Sequence, residues 1–284
     1  MAIFTNQATL TYNDTITNSN ITTGELVEVL SATKTAVTDT YASGDDITYV
    51  VSIVNTGILP FTGLTVTDDL GAYTVGDNTV YPLRYVAGSV RYYVNGVLQA
   101  APTVTTTEPL TISGISVPAG GNAILIYEAD VTGFAPPTED GTVVNTATVQ
   151  GGGLSTPLTA TETVRTTNEP VLTISKSLSP TTVTENGQLT YTFVIQNSGN
   201  TPAVATDNVA VTDLFDPILS DLTVTFNGTL WSEPANYTYN ESTGLFTTVP
   251  GQITVPAATF TQDPDTGLWV TTPGVAVLTV VGTI

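Results

Sequence analysis

Apolar and polar residues alternate along short segments of this chain, a two-residue period that predicts β-strands. Residues 143–149, Val-Val-Asn-Thr-Ala-Thr-Val, put Val143, Asn145, Ala147 and Val149 on one face. Val144, Thr146, Thr148 and Gln150 take the other. Residues 4–10, Phe-Thr-Asn-Gln-Ala-Thr-Leu, repeat the pattern, with Phe4, Asn6, Ala8 and Leu10 together and Thr5, Gln7, Thr9 and Thr11 opposite. Asn240 to Gly244 and Asp263 to Gly267 set an Asx residue and a glycine between alternating runs, which predicts tight hairpins. Pro60, Pro82, Pro118, Pro180, Pro250 and Pro256 fall near strand ends, where a missing amide hydrogen does little harm. No helical period is sustained.

The strands recur as a repeat. Lys34 precedes Tyr49 by 15 residues and Asn55 by 21, and Lys176 precedes Tyr191 and Asn197 by the same intervals. Val-Thr-Asp68 matches Val-Thr-Asp213, and Gly121-Asn-Ala-Ile-Leu125 matches Gly274-Val-Ala-Val-Leu278. The first copy continues to its closing strand at 143–149; the second reaches Ile284 without one, while a spare copy stands at 4–10. The expected organisation is a donor strand over 1–12, a linker over 13–25 and a first β-sandwich over 26–150. A second linker over 151–169 then leads to a second sandwich over 170–284 that lacks its last strand. Seven or more short strands per copy predict an all-β chain of two tandem immunoglobulin-like sandwiches.

Composition narrows the function classes. The 284 residues are 41% hydrophobic and 11% charged, with a net charge of −20 from only five basic residues. Such a surface repels nucleic acid and anionic lipid, so neither is expected as a partner. Without Cys or His, the chain has no disulfides, no thiolate or imidazole metal sites and none of the usual nucleophile–base pairs. No cofactor and no turnover of an external substrate are expected. No segment is long and apolar enough to span a membrane, and the N-terminus lacks the pattern of a secretory signal.

Several motifs resemble the surface-repeat family labelled "domain of unknown function eleven", common in exported bacterial and archaeal proteins. They are a Lys on the first strand, Thr-Tyr after Gly-Asp or Gly-Gln, an Asn near a Gly, Val-Thr-Asp, and Asn-Thr-Ala-Thr-Val. The resemblance covers nearly the whole chain. It implies immunoglobulin-like sandwiches on a cell surface, and no ligand or reaction.

Three polar residues per unit fall on apolar faces. Lys34 is in phase with Leu30, Ala32 and Ala36, and Lys176 with Leu172, Ile174 and Leu178. Asp68 follows Leu64 and Val66, and Asp213 follows Val209 and Val211. These are the only lysines, and burying such groups is costly unless they meet. The trio resembles that of intramolecular isopeptide domains in pilins and adhesins. There a buried lysine attacks an asparagine side chain with the help of an acid, and ammonia leaves. Burial makes a neutral amine accessible, and the fold supplies proximity. The resemblance implies Lys34 with Asn145, assisted by Asp68, in the first domain, and Lys176 with Asn6 of a neighbouring copy, assisted by Asp213. Glu128 is an alternative acid, although Val281 holds its place in the second copy. A buried hydrogen-bonded network with no covalent step is the plainer alternative.

The function expected from the sequence is a structural subunit of an extracellular or spore-surface filament. It would grow head to tail by strand donation, its main partner being itself, with an unknown anchor or tip protein besides. The donating arm resembles that of spore appendages and the cross-link that of Gram-positive pili. The alternative is a cell-surface adhesin or ligand-binding module with the leading strand folded back. Weaker signals are sequons at Asn13, Asn20, Asn227, Asn236 and Asn240, oxygen pairs at Asp263 with Asp265 and Asp213 with Asp216, and the aromatic surfaces of Trp231 and Trp269.

Overall fold

Alternation along the strands builds two layered units in the computed structural model, which describes residues 2–284. Apart from one turn of 3-10 helix at Ala205–Asp207, the regular elements of the described residues are strands. In the first sandwich, one sheet runs Val97–Leu98, Arg91–Val94, Asn122–Val131, Asp46–Asn55, Leu30–Ala36. The other runs Thr103–Thr107, Leu110–Val117, Phe61–Asp68, Thr142–Gly151, Leu158–Thr166, Thr40–Tyr41. Tyr49, Val51 and Ile53 from one face and Leu64, Ile112 and Val149 from the other are fully buried between them. The chain is all-β with sandwich packing, as its period of two requires.

The second sandwich sets a five-stranded sheet against a three-stranded one. The larger runs Leu172–Ser179, Gln188–Asn197, Gly274–Thr283, Ser220–Phe226, Thr229–Leu230, and the smaller Thr212–Leu214, Leu245–Thr248, Tyr237–Asn240. Phe193, Phe215, Phe246 and Leu278 fill its core. Both expected hairpins are present, Tyr237–Asn240 with Leu245–Thr248 and Thr259–Gln262 with Trp269–Thr272. The Asp263 carboxylate accepts the amides of Asp265 and Thr266 at 2.9 and 2.8 Å, which lowers its pKa, so the Asp263–Asp265 pair serves its own turn. Trp231 packs on Phe226 inside the core. The Trp269 amide donates to the Gly133 carbonyl at 3.1 Å, joining the last hairpin to the first sandwich.

The Asn55 and Asn197 of the repeat serve matching loops. The Asn55 amide donates to the Leu59 and Pro118 carbonyls, and that of Asn197 to the Thr201 and Pro256 carbonyls.

Two expected boundaries need correction. Residues 151–169 are mostly not linker: Leu158–Thr166 pairs antiparallel with Thr142–Gly151, opposing Asn145 to Glu162 and Val143 to Val164. Residues 13–25 are not an extended linker either. Thr15–Asn18 and Thr22–Leu26 fold back on Thr9–Tyr12 and Ala2–Asn6, making the N-terminal arm a two-stranded hairpin. Its two-residue turn, Asn13–Asp14, has both φ angles in the left-handed region, the geometry that matches strand twist. The leading strand is also interrupted at Gln7–Ala8, where the Ala8 amide donates to Ser19 Oγ at 2.9 Å. Threonine explains both errors, because it is a strong strand former that leaves no apolar stripe to read.

Candidate functional site

The site of the first sandwich is assembled from both sheets. Lys34 lies on Leu30–Ala36 opposite Val51, in the sheet that also carries Tyr49 and Tyr127. Asp68 ends Phe61–Asp68 and pairs with Ala147, two residues along the closing strand from Asn145. Strand alternation turns Lys34, Asp68 and Asn145 inward, and all three are buried.

Lys34 Nζ donates to Asp68 Oδ2 at 2.5 Å, with the two side chains 0% and 1% exposed. The Tyr127 hydroxyl donates to the same carboxylate oxygen, and the Leu70 amide donates to Oδ1 at 2.9 Å. The ammonium stands 4.7 Å from the centroid of the Tyr49 ring, which stacks on Tyr127. Burial pushes the Lys34 pKa down, opposed by the Asp68 charge and hydrogen bond. Burial raises the pKa of both tyrosines.

Asn145 stands apart from this well-partnered set. Among the described residues, neither its Oδ1 nor its Nδ2 has a hydrogen-bond partner of full geometry, although both are buried. The Tyr49 hydroxyl is near enough to that amide for a loose hydrogen bond to offset part of the rise in its pKa, but the two do not meet in full hydrogen-bond geometry. An unsatisfied buried polar group costs about 1–3 kcal/mol, so a carboxamide orphaned at both ends is an expensive resident. Tyr49 thus borders Lys34 on one side and Asn145 on the other. Asp69 fixes the backbone beside the asparagine: its carboxylate accepts the Thr146 amide at 2.8 Å, and its amide donates to the Thr146 carbonyl at 3.0 Å. Glu128, the alternative acid, is exposed.

The second sandwich holds the same pair in an open lane. Lys176 is ion-paired to Asp213, but their side chains are 39% and 18% exposed. The lysine Nζ lies 4.4 Å from the Tyr191 ring centroid and 5.4 Å from that of Phe215. Val280 opposes Tyr191 as Tyr127 opposes Tyr49, so no second tyrosine reaches this carboxylate from that position. Thr212–Leu214 pairs with Leu245–Thr248 on one side, and among the described residues no strand occupies the other. In the first sandwich that lane is filled by Thr142–Gly151. Ile174 and Leu178, which flank Lys176 on its face, are 55% and 37% exposed.

The structure therefore brings Lys34, Asp68 and Asn145 to one buried layer and pairs Lys176 with Asp213. It leaves Asn6 on the N-terminal hairpin, opposite Thr22, with Phe4, Ala8 and Leu10 exposed beside it. Tyr49 and Tyr127 are the residues that sequence reasoning missed. Each sits on the inward phase of its strand, where a hydroxyl calls for a partner.

No protein-family model and no curated protein matches this chain, so the surface-repeat resemblance rests on its quoted motifs. Among solved structures, the chain is similar to the pilus backbone protein RrgB of Streptococcus pneumoniae, with 11% identity and a TM-score of 0.35. That match covers 86% of this chain and 55% of the pilus protein. It is also similar to the collagen-binding domain of a Staphylococcus aureus adhesin, with 13% identity and a TM-score of 0.32, over 50% of this chain and 99% of that domain. A type II cohesin dyad from the adaptor ScaA scaffoldin of Acetivibrio cellulolyticus matches 89% of this chain and 85% of its own, with 11% identity and a TM-score of 0.29.

Proposed function

We propose that this protein is a structural subunit of an extracellular or spore-surface filament, in which copies join head to tail and lysine–asparagine amides cross-link them. The observation that carries the reading is the contrast between the two lysine sites. One is sealed by a closing strand whose asparagine is orphaned; the other has its lysine and aspartate in place and its lane empty. The N-terminal arm carries the matching asparagine, Asn6, on an exposed segment. A donor that fills a lane of the next copy makes a heterologous contact that does not close on itself, and such contacts grow fibres.

The chemistry follows from the first site. Lys34 passes a proton to the Asp68 oxygen it already contacts, and the neutral Nζ attacks Cγ of Asn145. In this reading Asp68 and Tyr127 supply the protons and hydrogen bonds that the developing oxyanion and the departing nitrogen need. Asp68 gives its proton to Nδ2 and takes the second proton from Nζ; the Cγ–Nδ2 bond breaks, ammonia leaves, and an Nζ–Cγ amide remains beside a protonated Asp68. The reaction runs once per site, so the chain is no enzyme for external substrates. Lys176, Asp213 and the neighbour's Asn6 would repeat it between subunits.

Mass spectrometry of detergent-boiled material tests this reading. The expected products are a Lys34 peptide joined to an Asn145 peptide and a Lys176 peptide joined to an Asn6 peptide, each lighter by one ammonia. Unlinked peptides alone overturn the covalent claim. Chains that stay monomeric with or without residues 1–12, yet bind a surface ligand, overturn the filament in favour of an adhesin.

A further inference from the structure

We infer that the donated element is the whole N-terminal hairpin, residues 2–26, and that its second strand covers the exposed flank of Leu172–Ser179 in the next copy. This rests on the head-to-tail reading above and adds a second lane to it.

The first sandwich supplies the template. Its closing element is itself a hairpin, and the two strands have separate tasks. Thr142–Gly151 completes the ladder with Phe61–Asp68. Leu158–Thr166 lies against Leu30–Ala36 and buries Ala160 and Val164, which shuts the side of the sandwich at the lysine strand. The N-terminal hairpin reproduces this pairing closely. Asn6 opposes Thr22 as Asn145 opposes Glu162, and Phe4 opposes Gly24 as Val143 opposes Val164.

Side-chain volumes support the match. Where the closed sandwich has Val143 beside Val164, the free hairpin has a large Phe4 beside Gly24. A Cβ on residue 24 would come within 2.3 Å of the Phe4 ring, so the ring uses the space that the glycine leaves. Across the interface the exchange runs the other way. The lysine strand of the first sandwich flanks Lys34 with Ala32 and Ala36, both half-buried, whereas Lys176 is flanked by Ile174 and Leu178. Larger residues on the acceptor strand thus meet smaller ones, Thr22 and Gly24, on the donor. A single donated strand would fill the lane beside Thr212–Leu214 and leave Ile174 and Leu178 wet.

The chain has no cysteine, so introduced thiols report on this contact alone. Two full-length variants, Thr22→Cys with Ile174→Cys and Thr22→Cys with Leu178→Cys, place one thiol on each surface at positions exposed in the free subunit. Assembled under mild oxidation and mapped by mass spectrometry, at least one variant is expected to give a disulfide between neighbouring subunits in most chains. The same material should carry the Asn6–Lys176 amide. An amide with free thiols in both variants overturns the hairpin and leaves single-strand donation standing. Folded chains with neither bond refute the head-to-tail reading, and this inference with it.

Discussion

The Tyr127 hydroxyl donates its hydrogen to the very Asp68 oxygen that binds Lys34, and Val280 occupies the matching place in the second sandwich. A hydrogen bond to a charged group contributes about 1.5–3 kcal/mol. If that bond strengthens as Asp68 shuttles the proton, Tyr127→Phe slows amide formation in the first domain by about tenfold or more. Following ammonia loss by intact mass after refolding checks this. By the same reasoning, the proposed bond within the first domain should complete before the proposed bond between subunits. An unchanged rate in the variant would remove Tyr127 from the chemistry.

Asn145 separates a covalent site from a merely buried network. An amide without partners that stayed unreacted would be a liability, so Asn145→Ala would leave stability level or raise it. A cross-link from Lys34 to Asn145 closes a loop of roughly a hundred residues, a constraint that stabilises by about 4.7 kcal/mol in the chain-entropy picture. The expected result is a drop in Tm on the order of 10 °C for Asn145→Ala, read by calorimetry.

The pH dependence of the unlinked site has a definite sign. Burial holds the Lys34 pKa below its ordinary value of 10.5, so between the two values the folded chain carries fewer protons on this group than the unfolded one. Stability rises with pH wherever the unfolded state binds more protons. In an Asn145→Ala background, the Lys34–Asp68 pair should gain stability relative to a Lys34→Met, Asp68→Leu version as pH rises towards 10.5. Urea titrations at a series of pH values between neutrality and that limit measure the gap. A gap that is flat or that shrinks with pH contradicts a depressed lysine.

Alternation alone placed Lys34, Asp68 and Asn145 on core-facing positions, and the structure buries all three. Periodicity succeeded there because each strand carries apolar neighbours two residues away. It failed at Leu158–Thr166, where the inward residues are Leu158, Ala160, Glu162, Val164 and Thr166, too mixed to stand out from a threonine-rich connector. The N-terminal hairpin was hidden for the same reason, although Asn13–Asp14 between alternating runs was a turn signal that could have revealed it. The open lane beside Lys176 was legible only through the repeat. The difference between its exposed pair and the buried pair of the first domain needed coordinates.

Ile174 offers a test that spares the isolated subunit. Its side chain is 55% exposed, so Ile174→Glu should shift the Tm of monomers little, as surface substitutions usually change stability by no more than about 0.5 kcal/mol. In a filled lane the same carboxylate would be buried next to the Lys176–Asp213 pair, with no second cation there to answer it. Assembly should therefore fail while folding persists, seen as monomers by light scattering and as loss of the Asn6–Lys176 peptide. Val144→Glu is the control, since Val144 points outward from a strand that is already closed on both sides. Filaments formed equally well by both variants would show that the flank of Leu172–Ser179 stays in solvent.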